Sequence, residues 1–183
     1  MQFSPITHTL KNGKTVHIRE ARVSDAAAII ELVHTYIADS DYIPQTQGEF
    51  QPSLAQETEW IQSFQTKDNS LLLVAECDGK LIGNIDLTGH TRIMMQHTAV
   101  IGMGMLLKWR NCGLGTALMQ AAIEWARQQP VLEVLWLQVY AENELGISLY
   151  RKMGFAEHGI IPNYFKREGK YFGNLTMSLS VIE

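Results

Sequence analysis

The 183-residue sequence predicts a single α+β domain whose sheet carries helices on both faces. Three observations lead there. Asn12-Gly13 and Asp78-Gly79 each sit between strand-like runs, the signal of a tight hairpin. Two continuous apolar runs, "TAVIGMGMLL" (98–107) and "VLEVLWLQVY" (131–140), read as buried strands joined through a helix. The remaining helices fall early and late in the chain, without the regular alternation of a doubly wound Rossmann pattern.

The elements follow in order. "ITHTLKNGKTVHIREA" gives two short strands around Asn12-Gly13. The triplet Gly13-Lys14-Thr15 imitates the end of a phosphate-binding P-loop, but that motif needs glycine where His8 stands. It is a hairpin turn. Ser24 is expected to cap a helix whose apolar face holds Ile29, Ile30, Leu32, Val33, Tyr36 and Ile37. "SDYIPQTQGEFQP" is loop, and Ser53 with Gln56 forms a capping box for a helix carrying Leu54, Trp60, Ile61 and Phe64. "SLLLVAECDGKLIGNIDL" is a hairpin, and "TGHTRIMMQ" links it to the first buried run. Leu114, Leu118, Ala121, Ala122 and Trp125 recur at helical spacing until Pro130. "NELGISLYRKM" is a short helix ended by Gly154, and "FAEHGII" and "YFGNLTMSLSV" close the chain as strands. No repeat, charge run or linker divides residues 1–183.

Charge and cysteine content narrow the partners. A net charge of −4 supplies no general field for nucleic acid or an anionic membrane. Cys77 and Cys112 make no disulfide framework and are expected as reduced thiols in a cytoplasmic protein. No run reaches the roughly 20 apolar residues of a membrane span. The six histidines show no metal-ligand spacing, so no metal is expected.

The chemistry centres on "WRNCGLGTAL" (109–118). A helix start presents unpaired N–H groups and the positive end of the dipole, and glycines let that backbone approach a ligand closely. The turn suits a phosphate or diphosphate. A dinucleotide fingerprint would need a third glycine where Leu118 stands. Tight strand–helix packing is the plainer use of such glycines.

Arg110-Asn111-Cys112-Gly113-Leu114-Gly115 matches R/Q-x-x-G-x-G/A, and "NELGISLYRKMGF" is similar to N-x-x-A-x-x-L-Y-x-x-x-G-F, with Gly146 in place of alanine. Together they resemble the two signatures of the GCN5-related N-acetyltransferase (GNAT) superfamily. The order of elements resembles that family over about residues 15–180. The resemblance implies a three-layer α/β/α fold with a mixed, mostly antiparallel sheet. In it, strands at about 97–107 and 133–140 run parallel and splay apart. The N-terminal hairpin (about 5–20) and the coenzyme-binding core (about 97–155) belong to that one domain.

The implied cosubstrate is acetyl-CoA. Its pantetheine arm would pair with backbone of Met103, Gly104 and Met105. Its diphosphate would rest on the N–H groups of Asn111, Cys112, Gly113, Leu114, Gly115 and Thr116, with Arg110 adding charge. Asn143 matches the asparagine that bonds the pantetheine arm; capping its own helix is a second role. Tyr150 matches the tyrosine that protonates the leaving thiolate in many relatives, the alternative being an aromatic packing residue. For the base, relatives often carry glutamate on the central strand, and this chain has none there. His97, Asp86 or a chain of waters could take the proton. Cys112 is read as a loop residue, not a nucleophile.

The leading function is therefore direct transfer of acetyl to a primary amine of a small molecule, an amino acid or related amine. A peptide N-terminus is an alternative acceptor. A second class is an acyl-CoA-binding regulatory module without turnover. A nucleotide switch is disfavoured because no Walker lysine follows the glycine turn. Asp39, Asp41 and Glu49 are expected to attract a cationic amine, or else to be a solvated loop surface. Relatives acting on amino acids often carry aspartate near position 173, where this chain has Gly173. Neither nucleic acid nor membrane is expected as a partner, and the resemblance admits a homodimer.

Overall fold

The computed structural model describes residues 3–182; Met1, Gln2 and Glu183 of the expected domain lie outside the described residues. Eight strands form one sheet in the order β1-β2-β3-β4-β5-β6-β8-β7. They are β1 (Ile6–Thr9), β2 (Thr15–Glu20), β3 (Leu71–Cys77), β4 (Lys80–Gly89), β5 (Thr98–Met105), β6 (Val134–Tyr140), β7 (Ala156–Arg167) and β8 (Lys170–Ser180). Every neighbouring pair is antiparallel except β5 and β6. The helices are α1 (Ala26–Ala38), α2 (Leu54–Gln65), α3 (Leu114–Arg127) and α4 (Glu144–Lys152).

Side-chain alternation along the strands builds two cores. On β3, Leu71, Leu73 and Ala75 join a cluster with Leu114, Leu118 and Ala122 of α3 and Ile147 of α4. Leu72 and Val74 face the other way, into a cluster with Ile29, Leu32, Val33 and Tyr36 of α1 and Ile61 and Phe64 of α2. A strand covered on both faces reads as an unbroken apolar run, and "LLLVA" is one. The three-layer arrangement expected from the sequence is present.

The parallel pairing of β5 and β6 extends only over Thr98↔Val134, Ala99↔Leu135 and Val100↔Trp136. Beyond Val100 the strands part, while the other edge of β5 stays paired to β4 through Met105. The backbone of β5 from Ile101 onward therefore has a neighbour on one side only.

Several local expectations change. Ser24 lies inside a 3-10 turn (Val23–Asp25), and Asp25 occupies the cap position of α1. The Asp25 carboxylate accepts from Arg22 N at 2.7 Å and from Arg19 Nη1 at 2.7 Å, which anchors the turn before the helix begins. The Ser53–Gln56 capping box forms in both directions, at 3.2 and 2.8 Å. Strand β7 runs six residues further than expected, to Arg167, and turns at Glu168-Gly169, both with positive φ. Its outer side is exposed, so it carries no apolar alternation to read. Strand β5 is not buried throughout: Thr98, Val100, Gly102, Met103 and Met105 are half-buried. Among the described residues no helix is long and apolar enough to cross a membrane.

Candidate active site

The glycine turn opens α3 as expected, by a more specific division of labour. Asn111 (φ 60°) and Gly113 (φ 98°) both take the left-handed conformation, and Gly113 is the residue before the helix. A Cβ at Gly113 would meet nothing closer than Lys11 Cγ at 3.8 Å, so its backbone conformation is what demands glycine. Gly115 lies within α3, where a Cβ would stand 3.1 Å from Met105 Cε and 3.2 Å from Leu149 Cδ2. Its missing side chain keeps α3 close to β5 and α4. The N–H groups of Leu114, Gly115 and Thr116 are the first of the helix and have no carbonyl four residues back within it.

Arg110 does not lie free beside that helix end. Its Nη1 donates to the carbonyl of Asp39 at 3.1 Å, joining the glycine turn to the end of α1. Cys112 is buried and directs its Sγ to the carbonyl of Trp109 at 2.9 Å, while its own carbonyl accepts from Lys11 N. The thiol is inside the turn.

Asn143 caps α4, its Oδ1 accepting from Gly146 N at 3.0 Å. A Cβ at Gly146 would lie 2.8 Å from Asn143 Nδ2, so glycine in place of the family alanine leaves room for this cap. Tyr150, two turns on, packs partly buried against the α3/α4 core with Phe155, ring centroids 6.1 Å apart. Burial pushes its hydroxyl up to about 12, so it stays protonated across the neutral range. Gly173 leaves no room for the aspartate of some relatives: a Cβ there would lie 2.9 Å from Ile160 Cγ2 and 3.1 Å from Ala141 Cβ.

On the opposite face, Asp86 of β4 stands directly across from Gly102 of β5, and Asn84 across from Gly104. The two glycines are required by what lies over them. A Cβ at Gly102 would fall 2.5 Å from Asp86 Oδ1, and one at Gly104 would run into the ring of Tyr36. Asp86 Oδ2 accepts from Thr88 Oγ1 at 3.0 Å. Burial raises its carboxyl to about 7, against a smaller downward pull from that hydrogen bond. A carboxyl so poised takes and releases protons near neutrality. Burial, with Asp86 nearby, also holds the Tyr36 phenol far above its usual range.

Asn84 and Asp86 floor a cleft of about 520 Å³ whose walls include Tyr36, Phe50, Glu57 and Trp60. Glu57 is 4% exposed, and burial raises its carboxyl. Of the acidic residues expected to draw a cation, only Glu49 lines this cleft. Asp41 pairs with Arg167 instead, at 3.2 Å, and Asp39 does not line it.

His97 is placed apart from these groups. It precedes β5, and its carbonyl accepts from Glu133 N and Val134 N where β5 and β6 are still paired. It lies five positions before Gly102, roughly 16 Å along an extended chain. Met103 and Met105 project toward the α3/α4 core, while Gly104 turns its backbone toward Tyr36. Sequence reasoning weighed Asp86 but missed Asn84, Glu57 and Tyr36. Each belongs to an element with an ordinary apolar or polar pattern, so only register and packing reveal them. No group of three or more His, Cys, Asp or Glu side chains among the described residues could hold a metal ion.

Comparison with known proteins agrees with this architecture. The model of the Acetyltransferase (GNAT) family matches residues 35–155, and the chain belongs to that family of acyl-transferring enzymes. It is 29% identical over 112 residues to the L-amino acid N-acetyltransferase AaaT of Escherichia coli, covering 61% of this chain and 69% of that one. An N-alpha-acetyltransferase of Sulfurisphaera tokodaii is 26% identical over 170 residues, 85% of this chain and 89% of the relative. Among solved structures, a GNAT-family acetyltransferase from Streptococcus pneumoniae superposes with a TM-score of 0.88 at 26% identity, covering 90% and 99% of the two chains. A Salmonella typhimurium acetyltransferase, determined with its cofactor acetyl-CoA, shares the fold at a TM-score of 0.81 and 21% identity, covering 92% and 95%.

Proposed function

We propose that the protein transfers acetyl from acetyl-CoA to a primary amine of a small molecule within one ternary complex. The observation that carries this is the gap between β5 and β6, one-sided backbone from Ile101 to Met105 leading to the αL turn at Gly113. An extended pantetheine arm fits such a strand edge by adding hydrogen bonds to it, and a diphosphate fits the unpaired N–H groups that begin α3. When bound, acetyl-CoA supplies an acyl group activated as a thioester. The names of relatives such as AaaT support a small-molecule amine as acceptor.

The chain's own residues divide the remaining work. Asp86, on the cleft side of β5, accepts a proton from the incoming ammonium, since its pKa of about 7 suits a base at neutral pH. Tyr150, on the α4 side, donates its hydroxyl proton toward the leaving sulfur. Tyr36 and Gly104 hold the floor of the cleft against β5. His97, at the closed end of the β5–β6 pair, has no part in this scheme.

The test is release of free thiol from acetyl-CoA over a panel of small amines, with coenzyme binding followed by calorimetry. Amine-dependent release supports the reading. Tight coenzyme binding with no release for any amine favours a non-catalytic acyl-CoA sensor.

A further inference from the structure

The cleft over Asp86 has a one-sided chemistry. Its lining residues include Asp86, Glu57 and Glu49, but no lysine, arginine or histidine. Glu49 is turned to its own loop, accepting from Thr46 N and Thr46 Oγ1 at 2.8 Å each. Glu57 is 4% exposed, and a carboxylate so buried without a cation nearby is costly until a ligand supplies one. Asn84 adds an independent sign. It is 4% exposed and shares the Asp86 face of β4; its side chain contacts the Tyr36 hydroxyl, while its Oδ1 is buried without a partner. A buried acceptor left unmade calls for a donor. Phe50 and Trp60 provide apolar walls. The nearest loop cation in sequence, Arg92, is exposed beyond the end of β4 and absent from the lining.

An amino acid would bring its carboxylate into this cleft with nothing positive to meet it. Resting on the acetyl-transfer reading above, we propose that the acceptor is a primary amine without a carboxylate that carries a second cationic group. The reacting nitrogen sits at Asp86, and the second cation lies against Glu57 and Asn84. Asp86 first takes the ammonium's proton and releases it to solvent; the freed amine lone pair then forms the new N–C bond as the thioester C–S bond breaks. The nitrogen's proton goes to Asp86 and the departing sulfur takes one from Tyr150; solvent then returns a proton from the one to the other.

The experiment compares matched pairs on the wild-type protein by acetyl-CoA-dependent thiol release: cadaverine against lysine, and agmatine against arginine. Each pair differs only by the α-carboxylate. The expected result is a kcat/KM at least about 100-fold higher for the carboxylate-free member. Cadaverine should also exceed pentylamine, which lacks the second cation, by about tenfold. In Glu57→Gln, KM should rise about tenfold more for cadaverine than for pentylamine. Should that variant not fold, the wild-type ratio of cadaverine to pentylamine carries the same test. Lysine equal to or better than cadaverine would overturn the inference while leaving acetyl transfer standing. Lysine turnover lost selectively in Arg92→Ala would place a carboxylate site on the 90–97 loop and overturn it too. Coenzyme binding without thiol release for any amine would remove the catalytic reading, and this inference with it.

Discussion

Asp86 on β4 faces Gly102 on β5 at the same rung of the sheet, and the absent side chain of Gly102 is the space its carboxylate fills. Under the proposed function, Asp86 on the neighbouring strand takes the part of the acidic group that relatives often carry on the central strand. This pairing sets the first expectations.

Asp86→Asn should lower kcat by about 10² to 10⁴, the usual worth of a positioned base. In the wild-type protein kcat/KM should rise with pH and level off above an apparent pKa near 7, as burial dictates for this carboxyl. A pH–rate profile that keeps this limb in Asp86→Asn would take the base role away. Stability should move as well. A carboxyl whose folded pKa is raised contributes full stability below its unfolded value and loses it as pH climbs through about 7. The melting temperature of Asp86→Asn relative to wild type should therefore increase between pH 4 and pH 8.

Gly102→Ala should act on the same carboxylate from the other side. The added methyl group would stand 2.5 Å from Asp86 Oδ1 and push it off position. Activity should fall at least about tenfold while acetyl-CoA affinity, measured by calorimetry, stays within a factor of about three.

Tyr150→Phe keeps the ring that packs near Phe155 and removes only the hydroxyl. If that hydroxyl protonates the leaving thiolate, kcat and kcat/KM should fall together by about 10² or more with little change in coenzyme affinity. Steady-state thiol release with the best amine measures it, and full activity would return the residue to packing.

The two glycines of the α3 turn should separate. Gly113→Ala places a Cβ on a residue at φ 98° and should cost about 1–2 kcal/mol in chemical denaturation. Gly115→Val meets the side-chain ends of Met105 and Leu149 instead, crowding the seam between α3, β5 and α4. Its expected effect is weaker acetyl-CoA binding in a protein that still folds. Unchanged affinity would move the coenzyme away from this seam.

Arg19→Met should destabilise the domain by about 1–3 kcal/mol, since it strips the largely buried Asp25 of its partner and leaves Glu76 unpaired. Burial alone would raise the Asp25 carboxyl, yet the hydrogen bonds from Arg19 and Arg22 outweigh it and hold the pKa below the usual range. That contribution is complete above the unfolded carboxylate pKa and is lost as pH falls through the depressed folded value. Wild-type and variant melting curves should converge in acid.

What could be read without a structure was local. The hairpin turns at Asn12-Gly13 and Asp78-Gly79, the Ser53–Gln56 box and the glycine turn before α3 each act within about four residues, so their signals stand intact in the chain. The α3/α4 side was legible for that reason, through two short motifs. On the cleft side the sequence pointed to Asp86 alone, as one of three candidate proton acceptors. Tyr36, Glu57, Asn84 and Asp86 come from α1, α2 and β4, and no spacing connects them. Their meeting depends on the register of β4 against β5, where a slip of one residue would send Asp86 to the α3 face. Burial then supplies the pKa of about 7, a property of the packed neighbourhood that the carboxyl does not possess in the extended chain. Chain-local geometry is written in neighbouring residues; the chemistry of a group taken out of water is decided only when distant elements close around it.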